Sequence, residues 1–284
     1  MKEKARQARA ENRIIGLVAT MGALHDGHAS LIARAKRECS PIIASIFVNP
    51  KQFGPNEDFA KYPRSFETDC EKSRQAGVDL LLAPEPAEVY PQGFSTYVHV
   101  EGLSEKLEGR SRPGHFRGVS TVVLKLLEIV QPHRAYLGRK DAQQARLIMQ
   151  MARDLNLDSE IVVCPIVREP DGLALSSRNA YLNREERKAA TVLVGALQAA
   201  EQELGTGHRD ALHLASALRR KLDSEPLASV DYAEVVDAES FEPVVRVSRA
   251  CYLLLAVFIG KTRLIDNLYV EPKAPGSEEL VFHL

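Results

Sequence analysis

Residues 13–48, RIIGLVATMGALHDGHASLIARAKRECSPIIASIFV, contain the pattern that most clearly indicates the fold class. Apolar runs near the two ends of this stretch, residues 13–19 and 41–48, predict two buried strands. Between them, apolar residues recur with the spacing of one helical face: Leu31, Ile32, Ala35 and Cys39. A strand, a helix and a strand within roughly 35 residues form a βαβ unit, and this unit implies a parallel sheet.

Strands and helices continue to alternate beyond this stretch, as far as residue 175. Further elements are predicted as helices at residues 64–76, 121–130 and 141–156, and as strands at 79–84, 135–138 and 161–167. Residues 96–101, TYVHVE, also alternate between apolar and polar side chains. This order is typical of a doubly wound α/β domain. Within it, the basic and Gly-rich segment 103–118 is predicted to be a mobile loop.

The pattern changes after residue 175. Asn183 is a plausible N-cap for one long helix that extends to residue 204, and a second helix is predicted at 208–223. Three strands are then predicted, at residues 231–237, 251–259 and 262–270. Helices followed by strands indicate a smaller α+β domain. We therefore expect two domains, residues 1–175 and residues 176–284.

Composition narrows the class of protein. The chain has 284 residues, of which 45% are hydrophobic and 26% charged, as in a folded globular protein. Its net charge of -1 argues against a nucleic-acid partner, because affinity for the phosphate backbone needs an excess of Lys and Arg. The four cysteines lack C-x-x-C spacing, so reduced thiols are expected. Without a long apolar run or a signal-peptide pattern, we expect a cytoplasmic protein with no membrane partner.

Residues 20–28, TMGALHDGH, lead from the first predicted strand into the first predicted helix. Open parallel sheets bind ligands at the carboxyl ends of their strands, and helix N-termini favour phosphate. His25 and His28 could both donate hydrogen bonds to an anion there. A metal-binding pair and two surface histidines without a role are weaker alternatives. The nucleotide-binding patterns G-x-x-x-x-G-K-[ST] and G-x-G-x-x-G do not occur in this stretch.

Asn49 and Gln52 follow the second predicted strand, at the edge where a ligand would lie. The Gln52 carboxamide can both donate and accept hydrogen bonds, which suits a hydroxy acid. The alternative is a polar turn set by Pro50, Gly54 and Pro55, and the spacing alone favours neither interpretation.

Two later segments carry similar signals. In YLGRKDAQQ, residues 136–144, Lys140 suits a phosphate, while Asp141 could cap a helix or contact a ribose or Mg²⁺ through water. In REPDGLALSSRN, residues 168–179, two serines and an arginine could close over a triphosphate. The alternative for the second segment is an interdomain linker with a serine helix cap.

Taken together and in order, five segments strongly resemble the pantoate–β-alanine ligase family, and the resemblance runs from residue 13 to the C-terminus. The segments are TMGALHDGH, SIFVNPKQFGPNEDFAKYPR, SRPGHFRGVSTVV, LGRKDAQQ and VREPDGLALSSRN. The H-x-G-H element alone would also be compatible with other class I nucleotidyltransferases. The resemblance implies a Rossmann-like, doubly wound parallel sheet that binds ATP and pantoate, with a smaller C-terminal α+β domain as a lid.

The family resemblance also implies the chemistry. ATP and (R)-pantoate would form pantoyl adenylate and pyrophosphate with Mg²⁺, and the amine of β-alanine would then displace AMP to give pantothenate. A homodimer is implied as well. The sequence departs from the family's pattern at Ala19, where proline is usual, at Arg139, where an acidic or amide residue is common, and in beginning within the family's first helix.

Residue roles follow from the same resemblance. ATP binding is implied for Met21, Gly22, Ala23, Leu24, His25, Asp26, Gly27, His28, Gly138, Arg139, Lys140, Asp141, Val167, Leu175, Ser176, Ser177 and Arg178. Of these, the expected catalytic residues are His28 as proton donor, with His25, Lys140, Ser176, Ser177 and Arg178 on the phosphates. Gln52 and Gln144 would bind pantoate, with Gln52 beside β-alanine. The remaining alternatives are an enzyme that transfers AMP to a nucleotide and a silent nucleotide-binding protein.

Overall fold

The first part of the chain is built on a parallel five-stranded sheet. In the computed structural model, which describes residues 1–55, 57–274 and 276–284, the chain divides into two units, Met1–Cys164 and Pro165–Leu284. The sheet of the first unit has the order β3-β2-β1-β4-β5, with all pairs parallel. Its strands are β1 (Gly16–Thr20), β2 (Ile42–Ile46), β3 (Leu80–Leu82), β4 (Arg134–Gly138) and β5 (Glu160–Cys164). The predicted α/β fold class is confirmed.

Helices cover both faces of this sheet. The helices of the first unit are α1 (Lys2–Ala10), α2 (Asp26–Lys36), α3 (Phe66–Ala76), α4 (Pro86–Val89), α5 (Glu108–Ser111), α6 (His115–Val130) and α7 (Ala142–Asp154). Val18, Ile42 and Tyr136 point to one face and pack under α2. Leu17 and Ile43 point to the opposite face and are equally buried. The apolar runs of β1 and β2 are continuous because both of their faces are covered.

The strand order creates a switch point between β1 and β4. The chain runs from β1 outward to β2 and β3, and it then returns to add β4 on the other side of β1. β1 and β4 are paired in register, with Gly16 opposite Arg134 and Val18 opposite Tyr136, so both strands end at the same edge. Open α/β sheets bind ligands in the crevice at such a point. The loops that follow β1, β2 and β4 therefore meet at one edge.

The prediction of a mobile loop at residues 103–118 is wrong. The segment contains a 3₁₀ turn, all of α5 and the first turn of α6, and many of its side chains are buried. Gln143 of α7 explains its order, because this side chain accepts from Glu108 N at 3.1 Å and donates to Leu103 O and Lys106 O, both at 2.8 Å. Gly109 and Gly118 allow close packing, since a Cβ would collide with Ser104 O and Lys51 O, whereas Gly114 adopts a left-handed backbone with a φ of +84°.

Residues 96–101 alternate in sequence but lie outside the sheet. There, Val98 N donates to Thr121 Oγ1 of α6 at 3.0 Å. A contact with a helix side chain has replaced the strand pairing that the alternation suggested.

The second unit has an antiparallel sheet of order β6-β7-β8-β9. Its strands and helices are β6 (Ala228–Asp237), β7 (Cys251–Ile259), β8 (Thr262–Pro272), β9 (Leu280–His283), α8 (Arg184–Ala189), α9 (Val192–Gly205) and α10 (Ala211–Asp223). Alternate residues of the central strands, such as Leu253, Leu255 and Leu268, share one core with Leu197 of α9 and Leu214 of α10. Helices packed on an antiparallel sheet confirm the predicted α+β character. The sequence patterns did not predict β9.

The long helix predicted from Asn183 is two helices. Asn183 does cap the first, because its side chain accepts from Glu185 N and Glu186 N at 2.9 Å. The helix is interrupted at residues 190–191, where Thr191 N and its hydroxyl both donate to Lys188 O. A threonine hydroxyl that bonds to a nearby carbonyl competes with the helical ladder and explains the break.

The division between the units falls after Cys164, eleven residues before the predicted boundary at residue 175. Residues 165–175 belong with the second unit because Arg168 pairs with Ala174 as a β-bridge and binds Asp266 of β8 through both carboxylate oxygens. No helix in the described ranges is long and apolar enough to cross a membrane.

Candidate active site

The turn after β1 is shaped by left-handed backbone and by a threonine. Gly22 and Ala23 have φ values of +83° and +50°. Thr20 Oγ1 accepts from Gly22 N at 3.2 Å and donates to Ser45 O of β2 at 2.6 Å. A Cβ on Gly22 would lie 3.0 Å from Asp69 Oδ2, so both the conformation and the space favour glycine. The turn thereby directs the chain into α2 at the edge of the sheet.

His25 and His28 cap α2 reciprocally. His25 Nδ1 accepts from Gly27 N at 3.2 Å, and His28 Nδ1 accepts from His25 N at 3.3 Å. The two rings lie with their centroids 4.2 Å apart. This is a capping box in which imidazole nitrogens take the place of the usual hydroxyl and carboxylate oxygens.

The capping bonds determine the tautomer of each ring. A nitrogen that accepts a backbone N–H carries a lone pair, so in the neutral imidazole the proton must be on Nε2. Each histidine therefore has an N–H donor on the side of the ring away from its capping bond. Protonation of Nδ1 would break the cap, so the arrangement requires neutral rings.

The surroundings favour that neutral state. Burial lowers the pKa of His28 to about 3, and the charges of Lys140 and Lys72 and the neighbouring His25 act in the same direction. Burial is also the main cause of the lowered pKa of His25, and Lys140 and Lys72 add to it. Asp26 and Asp141 oppose this shift weakly. At neutral pH both rings are uncharged hydrogen-bond donors in a positive field.

The segment after β4 supplies part of that field. A 3₁₀ turn, Arg139–Asp141, follows Gly138 and leads into α7. Lys140 Nζ lies 3.5 Å from Asp141 Oδ1, and its charge reaches both histidines. Gln144 follows within the first turn of α7 and is half-buried. The basic segment predicted from the sequence is thus close enough to the histidine pair for the Lys140 charge to lower both pKa values.

Gln52 lies in the 3₁₀ turn after β2 and is held from several directions. Its side-chain oxygen accepts from Asn49 Nδ2 at 3.1 Å, and its Nε2 donates to Met21 Sδ at 2.9 Å. Asn49 is itself held by Tyr90 OH, 2.8 Å from its Oδ1. Because a thioether sulfur is a weak acceptor, the amide group of Gln52 is well suited to exchange this contact for a ligand oxygen.

The backbone of Gln52 is fixed by a relay that the sequence patterns did not reveal. His115 Nδ1 donates to Gln52 O at 2.8 Å, and His115 Nε2 accepts from Arg112 Nη1 at 3.1 Å. Arg112 in turn binds both oxygens of Glu57 at 2.8 Å. Burial and the Arg112 charge lower the pKa of His115 to about 4, which keeps the ring neutral and the relay intact.

The last of the segments predicted to bind ATP, at residues 167–179, belongs to the second unit. Val167 O accepts from Leu175 N at 2.9 Å, which closes a short hairpin. Ser176 Oγ accepts from Arg178 N at 3.3 Å and caps the 3₁₀ turn Ser177–Tyr181. The serine cap expected under the linker alternative is therefore present, and it does not exclude a contact with phosphate.

A buried ion pair anchors this hairpin to the second sheet. Arg168 binds Asp266 at 2.7 and 2.9 Å, and the Asp266 side chain is 1% exposed. Breaking a buried pair by removing one partner typically costs about 3–5 kcal/mol, because the other charge remains buried. Neither residue was singled out from the sequence, since nothing in the spacing links positions so far apart.

Within residues 1–55, 57–274 and 276–284, no group of three or more His, Cys, Asp or Glu side chains is arranged to hold a metal ion. The fold and this edge of the sheet define an α/β protein with a candidate ligand site at a strand-to-helix turn. Comparison with known proteins gives the family. The model of the family described as Pantoate-beta-alanine ligase matches residues 1–269, and the chain belongs to this family.

Individual relatives agree with this assignment. The chain is 52% identical over 271 residues to the pantothenate synthetase of Koribacter versatilis, covering 95% of this chain and 93% of the relative. A pantothenate synthetase structure from Thermus thermophilus has a TM-score of 0.88 at 45% identity, covering 93% and 96% of the two chains. A Francisella tularensis pantoate-beta-alanine ligase, complexed with "Beta-gamma ATP and Beta-alanine", has a TM-score of 0.75 at 36% identity over 94% of each chain.

Gly118 of α6 allows the helix to pack directly on the Gln52 turn. A Cβ at this position would lie 2.1 Å from Lys51 O and 2.7 Å from Gln52 Cα, both of which are backbone atoms. We expect Gly118→Ala to lower the free energy of unfolding by about 1–3 kcal/mol in urea denaturation, because the turn must move. The matched control is Gly195→Ala in α9, where the nearest atom is 4.0 Å away. Equal stability of the two variants would contradict the close packing.

The neutral state of His28 can be observed directly. We expect ¹⁵N NMR to show the Nε2–H tautomer, with a folded-state pKa of about 3 against 6.5 for the unfolded chain. The unfolded state then binds more protons, so stability falls by up to about 1.4 kcal/mol per pH unit as the pH drops below the unfolded value. His28→Asn keeps an acceptor for the cap but cannot titrate, and should show a weaker pH dependence. A folded-state pKa near 6.5 would refute the assignment.

Proposed function

We propose that this chain is a pantoate–β-alanine ligase that uses ATP to condense (R)-pantoate with β-alanine, as an enzyme of coenzyme A biosynthesis. The observation that carries the proposal is the neutral His25–His28 pair, with Lys140 beside it, at the switch point of a chain that belongs to this family. The names of the relatives support the same activity.

In the first step, a carboxylate oxygen of pantoate attacks the α-phosphorus of ATP. The bond to the bridging oxygen between the α- and β-phosphates breaks, and pyrophosphate leaves. No side chain of the protein needs to act as a nucleophile, because the substrate supplies the attacking oxygen. The protein's contribution is to position the reactants and to stabilise the negative charge that develops on the phosphates.

The histidine pair suits this task. We propose that the Nε2–H groups of His25 and His28 donate to phosphate oxygens, while Lys140 neutralises charge. His28 was expected from the family resemblance to be a proton donor, and its lowered pKa refines that role: it would donate a hydrogen bond as a neutral ring. The remaining residues of 21–28 and Gly138–Asp141 would supply backbone contacts to ATP.

In the second step, the uncharged amine of β-alanine attacks the acyl carbon of pantoyl adenylate. A C–N bond forms, the bond between the acyl carbon and the phosphate oxygen breaks, and AMP leaves as the nitrogen loses a proton. We propose that Gln52 and Gln144 bind pantoate, with Gln52 beside β-alanine. The weak Nε2–Sδ contact of Gln52 supports this role, since pantoate oxygens would be better acceptors.

We propose that the second unit completes the ATP site as a lid. Val167 would contact adenine through its backbone, and residues 175–178 would close over the phosphates. Ser176, Ser177 and Arg178 offer hydroxyl and guanidinium donors, which suit phosphate oxygens. The anchoring of this hairpin by Arg168 and Asp266 supports the proposal, because a rigid base gives a closing segment a defined geometry.

Mg²⁺ fits these residues as part of the ATP substrate. Mg²⁺ commonly binds substrate phosphates, several waters and one or two carboxylates, and it supplies charge neutralisation on the phosphates. Asp141 is a half-exposed carboxylate beside Lys140 and could bind the ion through water. We also propose a homodimer in the cytoplasm, without a nucleic-acid or membrane partner; the net charge of -1 supports the absence of nucleic acid.

The test is the order of the half-reactions. We expect exchange of labelled pyrophosphate into ATP that requires pantoate but not β-alanine, and release of AMP that requires both. An enzyme that transfers AMP to a nucleotide would retain AMP in its product, and a silent nucleotide-binding protein would give neither signal. Pantoate-independent exchange would exclude the proposed intermediate.

His28→Ala tests the proposed donor. We expect pantoate-dependent exchange to fall by about 100- to 1000-fold in a variant that stays folded by circular dichroism, because a preorganised hydrogen-bond donor is lost. The matched control is His99→Ala, at an exposed histidine that pairs with Glu105. Near-normal exchange in folded His28→Ala would remove His28 from the mechanism.

A further inference from the structure

Helix α3 contacts the turn after β1 through a buried carboxylate. Asp69 Oδ2 accepts from Ala23 N at 2.8 Å, and Asp69 Oδ1 accepts from Leu24 N at 2.7 Å. The Asp69 residue is 1% exposed. Ser65 Oγ adds a donor at 3.3 Å. These bonds compensate the burial of the charge and hold two successive peptide groups of the turn.

Lys72, three residues after Asp69 on α3, also binds the turn after β1. Its Nζ donates to Leu24 O at 2.6 Å. Residues three apart on a helix lie on one face, so Asp69 and Lys72 reach the turn together. Asp69 accepts from the N–H of Leu24, and Lys72 donates to its carbonyl oxygen. Leu24 directly precedes His25, the N-cap of α2.

We propose that Asp69 and Lys72 form a clamp that sets the position of the His25–His28 pair for ATP, and that both are positioning residues for the ligase reaction. This inference rests on the proposed function. The clamp, defined as the Asp69 and Lys72 side chains with their three bonds to residues 23 and 24, explains how a turn with two left-handed residues keeps one conformation. It acts through the histidines, because its hydrogen bonds are made to the turn that precedes them.

Charge provides a second link between Lys72 and the histidine pair. The charged groups that act on the pKa of His25 are Lys140, Lys72, Asp26 and Asp141. The groups that act on the pKa of His28 are His25, Lys140 and Lys72. The Lys72 charge lowers the pKa of both rings. It therefore helps to keep both Nδ1 atoms unprotonated, and with them the capping bonds that direct both Nε2–H groups.

A purely structural contact would behave differently. If Lys72 only tied α3 to the turn, its loss would lower stability without changing how the histidines titrate. If it positions the pair, ATP binding and the titration of His25 must change together. Lys72 is largely exposed, so its replacement leaves the core intact and the two cases can be compared in a folded protein.

The experiment compares Lys72→Met, Lys72→Arg and the matched control Arg74→Met. Arg74 lies on the same helix and pairs with Glu71, so its replacement removes one unit of charge without touching the turn. For each full-length variant, ATP affinity is measured by titration calorimetry without the other substrates, and the His25 pKa by NMR. KM for ATP and kcat follow from AMP release.

For Lys72→Met we expect ATP to bind on the order of fivefold more weakly, since an exposed charged contact contributes at most about 1 kcal/mol. KM for ATP should rise more than kcat falls. Because a positive charge is lost, the His25 pKa should rise, and the acidic limb of kcat/KM for ATP should move to higher pH. Lys72→Arg should restore most of the affinity, and Arg74→Met should match the wild type.

ATP affinity and His25 titration in Lys72→Met equal to those in Arg74→Met would overturn the clamp. Calorimetry and NMR need no turnover. A wild-type protein that binds ATP but makes no pantothenate would therefore refute the proposed function, and the ATP affinities and His25 pKa values of the variants would still test the clamp. Asp69→Asn gives a second readout. In the folded variant the amides of Ala23 and Leu24 should exchange hydrogen faster, and unchanged protection of both would overturn the role of Asp69.

Discussion

The reciprocal cap between His25 and His28 is the interaction on which the site depends. Each ring uses Nδ1 to accept a backbone N–H at the start of α2, so one pair of bonds begins the helix and orients two donors. The rings can do both only while they are neutral. Burial and nearby lysines lower the pKa of each histidine and so preserve the cap. The same two bonds therefore begin the helix and direct both Nε2–H donors.

The sequence patterns predicted the fold well where periodicity was strong. The apolar runs of β1 and β2 and the stripe of α2 defined the βαβ unit, because a parallel sheet covered on both faces needs these residues in that order. Prediction was weaker where one side chain decides the outcome. The Thr191 hydroxyl interrupts a helix that its neighbours would continue, and Gln143 orders a segment whose composition suggested a loop.

The candidate site also combines features that the sequence predicted with contacts that it did not. The position of residues 20–28 after the first strand predicted an anion site, and the resemblance to a known family implied the residue roles. The contacts that hold those residues were not predictable, because Asp69 and His115 act through backbone groups distant in the chain. A buried side chain bonded to a peptide group has no sequence signature of its own. Three-dimensional structure is needed to find it.

These supporting contacts share a physical logic. Reactions between two bound substrates gain most from orientation, and a shift of about 1 Å can cost on the order of 100-fold in rate. Short turns joined only to their flanking strands would not hold such positions. Here Gln52 is held by Asn49 and by the His115 relay, and residues 23 and 24 are held by Asp69 and Lys72. Because the proposed chemistry uses no covalent nucleophile and depends on orientation, the residues that hold these turns contribute to it alongside those that would touch the substrates.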